Sequence, residues 1–302
     1  MLPPATVTLS RREVLRALSA AGMACSGGTL GSSLAAAREP ERGTDRNAAA
    51  PGSMYRLEYE HKLEDLIGDL TGGERGDQRM ESSTPHAEWD SPHIRRTLGS
   101  WGPRARVYPR LHGLAERTQS WKRERVIATA ARLLGYGYQH HHIPDWNPPA
   151  NWPWQKTCVG HNGKGVDCSN FTSFVYNQGF GLKMSSAIQK QSEATFAALG
   201  GEEKVLLERI ALPRTYAERQ LVLHTGDLLF IRGREDGPIT HVVLWVGVVG
   251  SAPNEMPLII DSHGGDVKDD EGRTIPCGIR IRPFRENSWY NRCASHADRV
   301  FR

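Results

Sequence analysis

Asp167-Cys168-Ser169-Asn170-Phe171 is the stretch on which the reading of this chain turns. Upstream, His161-Asn162-Gly163-Lys164-Gly165 shows neither strand alternation nor helical period and reads as a loop. Downstream, Phe171, Phe174, Val175 and Phe180 fall on one face of a helix. Cys168 therefore stands at a helix start, where unpaired N–H groups and the macrodipole favour a thiolate, the nucleophilic form of cysteine. The alternative is a buried structural cysteine.

A thiol nucleophile needs a base within hydrogen-bond reach. The candidate is His241, which opens the apolar, β-branched run Val242-Val243-Leu244-Trp245-Val246. Before it, Thr225-Gly226-Asp227 turns into a strand at Leu228-Leu229-Phe230-Ile231, and Gly233 to Gly237 closes a hairpin. After it, Pro257-Leu258-Ile259-Ile260-Asp261-Ser262-His263 reads as a third strand ending in polar residues. Taken alone, His241 fits a satisfied core histidine better than a base; paired with Cys168 in this order, it fits a base.

This ordered set resembles the NlpC-type cell-wall peptidases, papain-like enzymes that cleave the peptide stems of peptidoglycan. The resemblance covers residues 123 to 265 and rests on Tyr138 in Gly135-Tyr136-Gly137-Tyr138, Asp167-Cys168-Ser169, Gly226-Asp227-Leu228, His241-Val242 and Asp261-Ser262-His263. It implies an α+β fold, N-terminal helices packed on an antiparallel sheet. It also implies a catalytic Cys168 with His241, a third polar residue, Tyr138 near the scissile carbonyl, and no cofactor. Side chains two apart on a strand share a face, so Asp261 and His263 point together. Aligning Ile260-Asp261-Ser262 with the family's usual Val-His-Ala favours Asp261, which would hold the Nδ1–H of His241. His263 is the alternative if the strand is bulged or shifted.

The chain departs from the family where substrate would lie. Gln139-His140-His141-His142-Ile143-Pro144-Asp145-Trp146 replaces the usual Pro-Tyr-x-Trp-Gly-Gly approach, and Asn170 replaces a glycine. The expected function is hydrolysis of stem-peptide amides of the γ-D-glutamyl–diaminopimelate type, with peptidoglycan or muropeptides as partner. Three alternatives stay open: an amidase or acyltransferase on another exported substrate, a catalytically silent wall-binding domain, and a metalloprotein using the histidine cluster. Three consecutive histidines cannot converge on one metal from regular backbone, and with Asp145 and His161 they match no closed-site spacing. They are expected to line the cleft, one of them meeting substrate carboxylates. Pro148-Pro149-Ala150-Asn151-Trp152-Pro153-Trp154 is expected to wall it or to cover the core.

The 302 residues divide into three parts. Ser10-Arg11-Arg12 precedes a mildly apolar run ending in Ala35-Ala36-Ala37, so residues 1–37 read as a twin-arginine export signal. Cys25 within it is a weak lipidation candidate. Residues 38–99 are polar and expected to be a disordered linker, apart from a short helix near Leu57 to Leu70. Residues 100–302 form the catalytic domain, entered by an amphipathic helix from Trp121 to Leu134. The net charge of +4, half of it in the leader, does not support nucleic-acid binding. Past the leader no segment approaches the ~20 apolar residues of a membrane span. The product is expected outside the cytoplasm, in the periplasm or beyond. Cysteines are commonly paired there, and Cys277 with Cys293 is the expected bridge.

Overall fold

Six strands, the central ones runs of apolar and β-branched residues, line up as one antiparallel sheet in a computed structural model that describes residues 53–153, 156–200, 203–269 and 271–302. In chain order the strands are β1 (Glu208–Ala211), β2 (Leu228–Arg232), β3 (Ile239–Trp245), β4 (Leu258–His263), β5 (Gly278–Pro283) and β6 (Ala294–Arg299). Across the sheet they run β5-β4-β3-β2-β6-β1. The export signal, Cys25 and Trp154 lie outside the described residues. No described helix is long and apolar enough to cross a membrane.

Period-two alternation sorts the side chains. Phe230, Val242, Leu244, Ile260, Ile279 and Ile281 face the helices, while Leu229, Ile231, Val243, Trp245 and Ile259 face a second apolar layer with Phe284 and Tyr290. Both faces of β2 and β3 are therefore dry, which is why these strands read as unbroken apolar runs.

Four helices surround or support the site: α1 (Leu63–Ile67), α2 (Pro92–Leu98), α3 (Gln119–Ala131) and α4 (Cys168–Phe180). The Thr118 side chain caps α3 by accepting from Trp121 N at 3.1 Å. Asp167 caps α4 in the same way from Asn170 N at 2.9 Å, and Gly181, at φ 79°, ends it in the left-handed conformation that glycine adopts without strain. All thirteen residues of α4 are buried.

The segment expected to be a linker is packed from residue 53 onward. Leu63, Leu66, Ile67 and Leu70 are spaced as a helical stripe and reach the core. Trp89 and Ile94 join Ile143, Trp146 and Trp152 in a separate apolar cluster. Some of its polar residues are engaged by the rest of the fold. Asp69 takes both arms of the buried Arg125 guanidinium at 2.7 Å, and Arg125 Nε donates to Gly179 O at 2.9 Å. One arginine thus joins α1, α3 and α4.

Candidate active site

Cys168 is the first residue of α4 and is nearly buried. At this position its N–H has no intrahelical acceptor. The helix start is held from two sides. Ser262 on β4 donates to Val166 O at 2.5 Å, and Val166 N bonds Gly137 O at 3.2 Å. The Cys168 thiol lies 4.0 Å from Thr240 O, at the mouth of β3.

His241 follows Thr240. Its Nε2 lies 2.7 Å from Asp261 Oδ2, which leaves Nδ1 as the nitrogen free to serve Cys168. The ring is therefore turned opposite to the expected orientation, in which Nδ1 met the carboxylate. Burial opposes a charge on His241. The charge of Cys168 and the hydrogen bonds of Asp261 and Cys168 outweigh it, pushing the pKa up to about 10.

Asp261 is fully buried with three donors. Arg282 Nε reaches Oδ1 at 2.7 Å, while Tyr290 OH at 2.8 Å and His241 Nε2 share Oδ2. Burial would raise its pKa; the Arg282 charge and the His241 bond hold the carboxyl well below its usual range. Arg282, itself fully buried, also donates to Pro276 O at 3.0 Å and Gly278 O at 3.1 Å. Neither Arg282 nor Tyr290 was singled out from the sequence. The available signal was Asp261 itself: a carboxylate in an oily strand demands a cation within reach. His263 turns elsewhere. Its Nδ1 lies 2.8 Å from Gly265 O, its ring meets His241 edge-on at 5.4 Å, and burial lowers its pKa.

Because folding raises the His241 pKa, the stabilisation it gives is complete below about pH 6.5, the free-imidazole value. It is then lost as pH rises toward about 10. The charge of Cys168 is the largest contribution raising it. In Cys168→Ser the His241 C2–H titration followed by NMR should therefore fall well toward pH 6.5; a midpoint unchanged from wild type would mean the two groups are not coupled.

Tyr138 stands beside this pair, its loop wedged between two backbones. Gly137 N donates to Lys164 O at 2.8 Å, and Ile279 N donates to Tyr136 O at 2.8 Å. A Cβ on Gly137 would collide with Cys158 O, and one on Gly278, at φ 90°, with Tyr136 O, so both positions require glycine. Burial, then the negative charges of Cys168, Asp167 and Asp261, push the Tyr138 phenol up, so it remains a donor at neutral pH.

A disulfide joins Cys158 to Cys277 beside this loop, and Cys293 is a free buried thiol. The expected Cys277–Cys293 bridge is not formed. Cys277 precedes β5 and Cys293 precedes β6, and three strands separate these, roughly 19 Å at the usual strand spacing. A disulfide tolerates about 7 Å between Cα atoms. Peptide mapping without reduction should recover the Cys158–Cys277 pair. The bridge spans 119 residues, so Cys158→Ser should lose about 4–5 kcal/mol in denaturant unfolding under oxidising conditions.

The three histidines diverge. His141 is buried against Trp146, with Nε2 on Gln139 Oε1 at 2.9 Å, and burial drives its pKa down to about 3. His140 lies between Tyr138 and Trp101, its Nδ1 3.8 Å from Asp167. His142 stacks on Trp101 and bonds Asn170 Oδ1 at 3.0 Å, while Asn170 Nδ2 donates to both Asp167 oxygens at 3.0 Å. The unusual asparagine and the unusual loop are thus matched to each other. His161 and Asp145 go elsewhere: His161 is exposed, and Asp145 accepts from Tyr136 OH at 2.7 Å and pairs with Lys164. Among the described residues no group of three potential ligands is placed to hold a metal. Trp152 covers the small apolar cluster. Asp227 of the Gly-Asp-Leu motif is structural, clamped by Arg299 at 3.0 and 2.8 Å.

Residues 155–296 match the NlpC/P60 family model, and the mixed helical and antiparallel fold agrees. Among solved structures, an NlpC/P60 family protein from Bacillus cereus is 19% identical, with a TM-score of 0.35. The match covers 59% of this chain and 39% of that one, so the chain spans about two-fifths of its length. The NlpC/p60 domain of the peptidoglycan hydrolase SagA is 18% identical, with a TM-score of 0.28 over 57% of this chain and 93% of that domain. No curated protein matches.

Proposed function

We propose that this chain, which over residues 155–296 is an NlpC/P60 domain, is an exported cysteine peptidase acting on peptidoglycan stem peptides. The observation that carries the reading is a thiol at a helix start, 4.0 Å from Thr240 O beside a buried His241 that is itself 2.7 Å from a buried carboxylate. Cys168 attacks the amide carbonyl as a thiolate. The Cys168 N–H and the Tyr138 hydroxyl receive the oxyanion. Imidazolium His241, charged because Asp261 supports it, protonates the leaving amine. Neutral His241 then draws a proton from water, which hydrolyses the thioester and frees the thiol. Incubating the mature protein with purified muropeptides and weighing the products tests this. Cleavage between γ-D-glutamate and diaminopimelate is expected, and intact muropeptides after prolonged incubation would overturn it.

Export is the second half of the proposal, supported by Arg11 and Arg12 ahead of the apolar run. Replacing both by Lys should leave uncleaved precursor in the cytoplasm. Fractionation showing normal export of that variant would refute the twin-arginine reading.

A further inference from the structure

Along the flank of α4 lies a cavity of about 340 Å³, with Asn170, Ser173 and Asn177 on one side and Arg104, His142 and Lys183 around it. A second of about 340 Å³ shares Arg104 and His142 and extends past Trp101 to Leu98 at the end of α2. Arg104 and Trp101 come from the N-terminal segment and His142 from the histidine loop, all outside the residues the family model matches.

The charge in the cavity is unbalanced. Lys183 Nζ donates to a neutral partner, Ala105 O, at 3.2 Å. Among the described residues no carboxylate lies within ion-pair distance of Lys183 or Arg104. The nearest acid in the network, Asp167, is occupied by Asn170 and Ser169. The cations act on one another: burial and then Arg104 lower the Lys183 pKa, and both charges add to burial in keeping His142 neutral. Two cations without a carboxylate partner and the Ser185 hydroxyl around one concavity make a receptor for an oxyanion, with Arg104 able to offer a bidentate fork.

The cavity is also in line with the candidate active site. Asn170, two residues after Cys168 on α4, lines it and bonds His142, whose neighbour His140 packs on Tyr138 at 5.3 Å. We propose that this cavity, beside the helix that Cys168 opens, is a subsite for a carboxylate of the substrate whose amide Cys168 attacks. It rests on the peptidase reading for the word substrate, but its test needs no turnover.

The test uses ¹⁵N-labelled Cys168→Ala protein titrated with succinyl-trialanine amide and with acetyl-trialanine amide, which lacks the carboxylate. The succinyl peptide should bind about tenfold more tightly and shift the Trp101 indole and Arg104 Nε signals. Arg104→Gln and Lys183→Gln, each checked for an unchanged spectrum elsewhere, should each erase the preference. Equal binding of the two peptides, or a preference that survives both substitutions, overturns the proposal. Inorganic phosphate at matched ionic strength is the third arm. Displacement of the succinyl peptide only at much higher concentration supports a peptide carboxylate, and displacement at equal concentration overturns that assignment in favour of free phosphate. A failed peptidase reading would show instead as intact muropeptides with this binding preserved.

Discussion

Cys168→Ala and His241→Ala should each lower kcat on a muropeptide by at least ~10⁴-fold, and combining them should cost little more. Groups that act as one nucleophilic unit lose almost everything with the first deletion. Here the charge of Cys168 is the largest influence raising the His241 pKa, so the two groups act as one unit. Alanine suits the first turn of α4, whose cap belongs to Asp167 and not to Cys168, so Cys168→Ala should fold normally. His241→Ala leaves Asp261 with Arg282 and Tyr290, so the carboxylate stays compensated. The loss is therefore chemical and not structural. Iodoacetamide gives an independent readout. Wild-type protein should be labelled at Cys168 well before the other free thiol, Cys293, whose pKa burial raises. Labelling of Cys168 should slow in His241→Ala, which lacks the base. Retention of a tenth or more of the activity by either single variant would remove the dyad from the mechanism.

How much of the fold and site was legible in the sequence depends on the range of each interaction. The Cys168 helix start, the β2–β3 hairpin and the strand at Asp261 are written in local periodicity, and a local pattern survives without knowledge of the rest of the fold. The alternation that set Asp261 and His263 on one face was also local. Choosing between them required the distance to His241, which depends on how β3 and β4 register. Arg282 was less accessible still. Its strand is read easily as apolar alternation, but nothing local says that this arginine is buried and reaches diagonally to Asp261 while Arg280, directly opposite that carboxylate, is half-buried. The disulfide failed for the same reason: nearness in sequence suggested Cys277 with Cys293, whereas the chain crosses the sheet between them. Residues 53–99 were misjudged on composition. Composition averages over side chains, and a few well-spaced apolar residues with Asp69 on a buried arginine suffice to hold that segment down.

Asp261→Ala should cost kcat at least ~10²-fold, by analogy with other triad carboxylates, and should also be the most destabilising of the site substitutions. The two effects have separate causes. Asp261 holds His241 by Nε2 and keeps Nδ1 directed at Cys168, so its loss frees the ring to rotate and removes the counter-charge of the imidazolium. The same substitution strands Arg282, which is fully buried and whose only carboxylate is Asp261 among the described residues. Removing one partner of such a pair costs about 3–5 kcal/mol. His263→Ala provides the contrast. His263 touches His241 only by an edge-on ring contact and is otherwise tied to Gly265, so it should lose less than tenfold in kcat and little in stability. Asp261→Asn separates orientation from charge. It keeps the shape, still accepts one hydrogen bond and cannot balance both cations, so its His241 titration should drop even where the protein stays folded. If Asp261→Ala keeps full kcat while His263→Ala is crippled, the orienting residue is His263. In that case the short Asp261–Arg282–Tyr290 cluster serves only to hold β4 against β5.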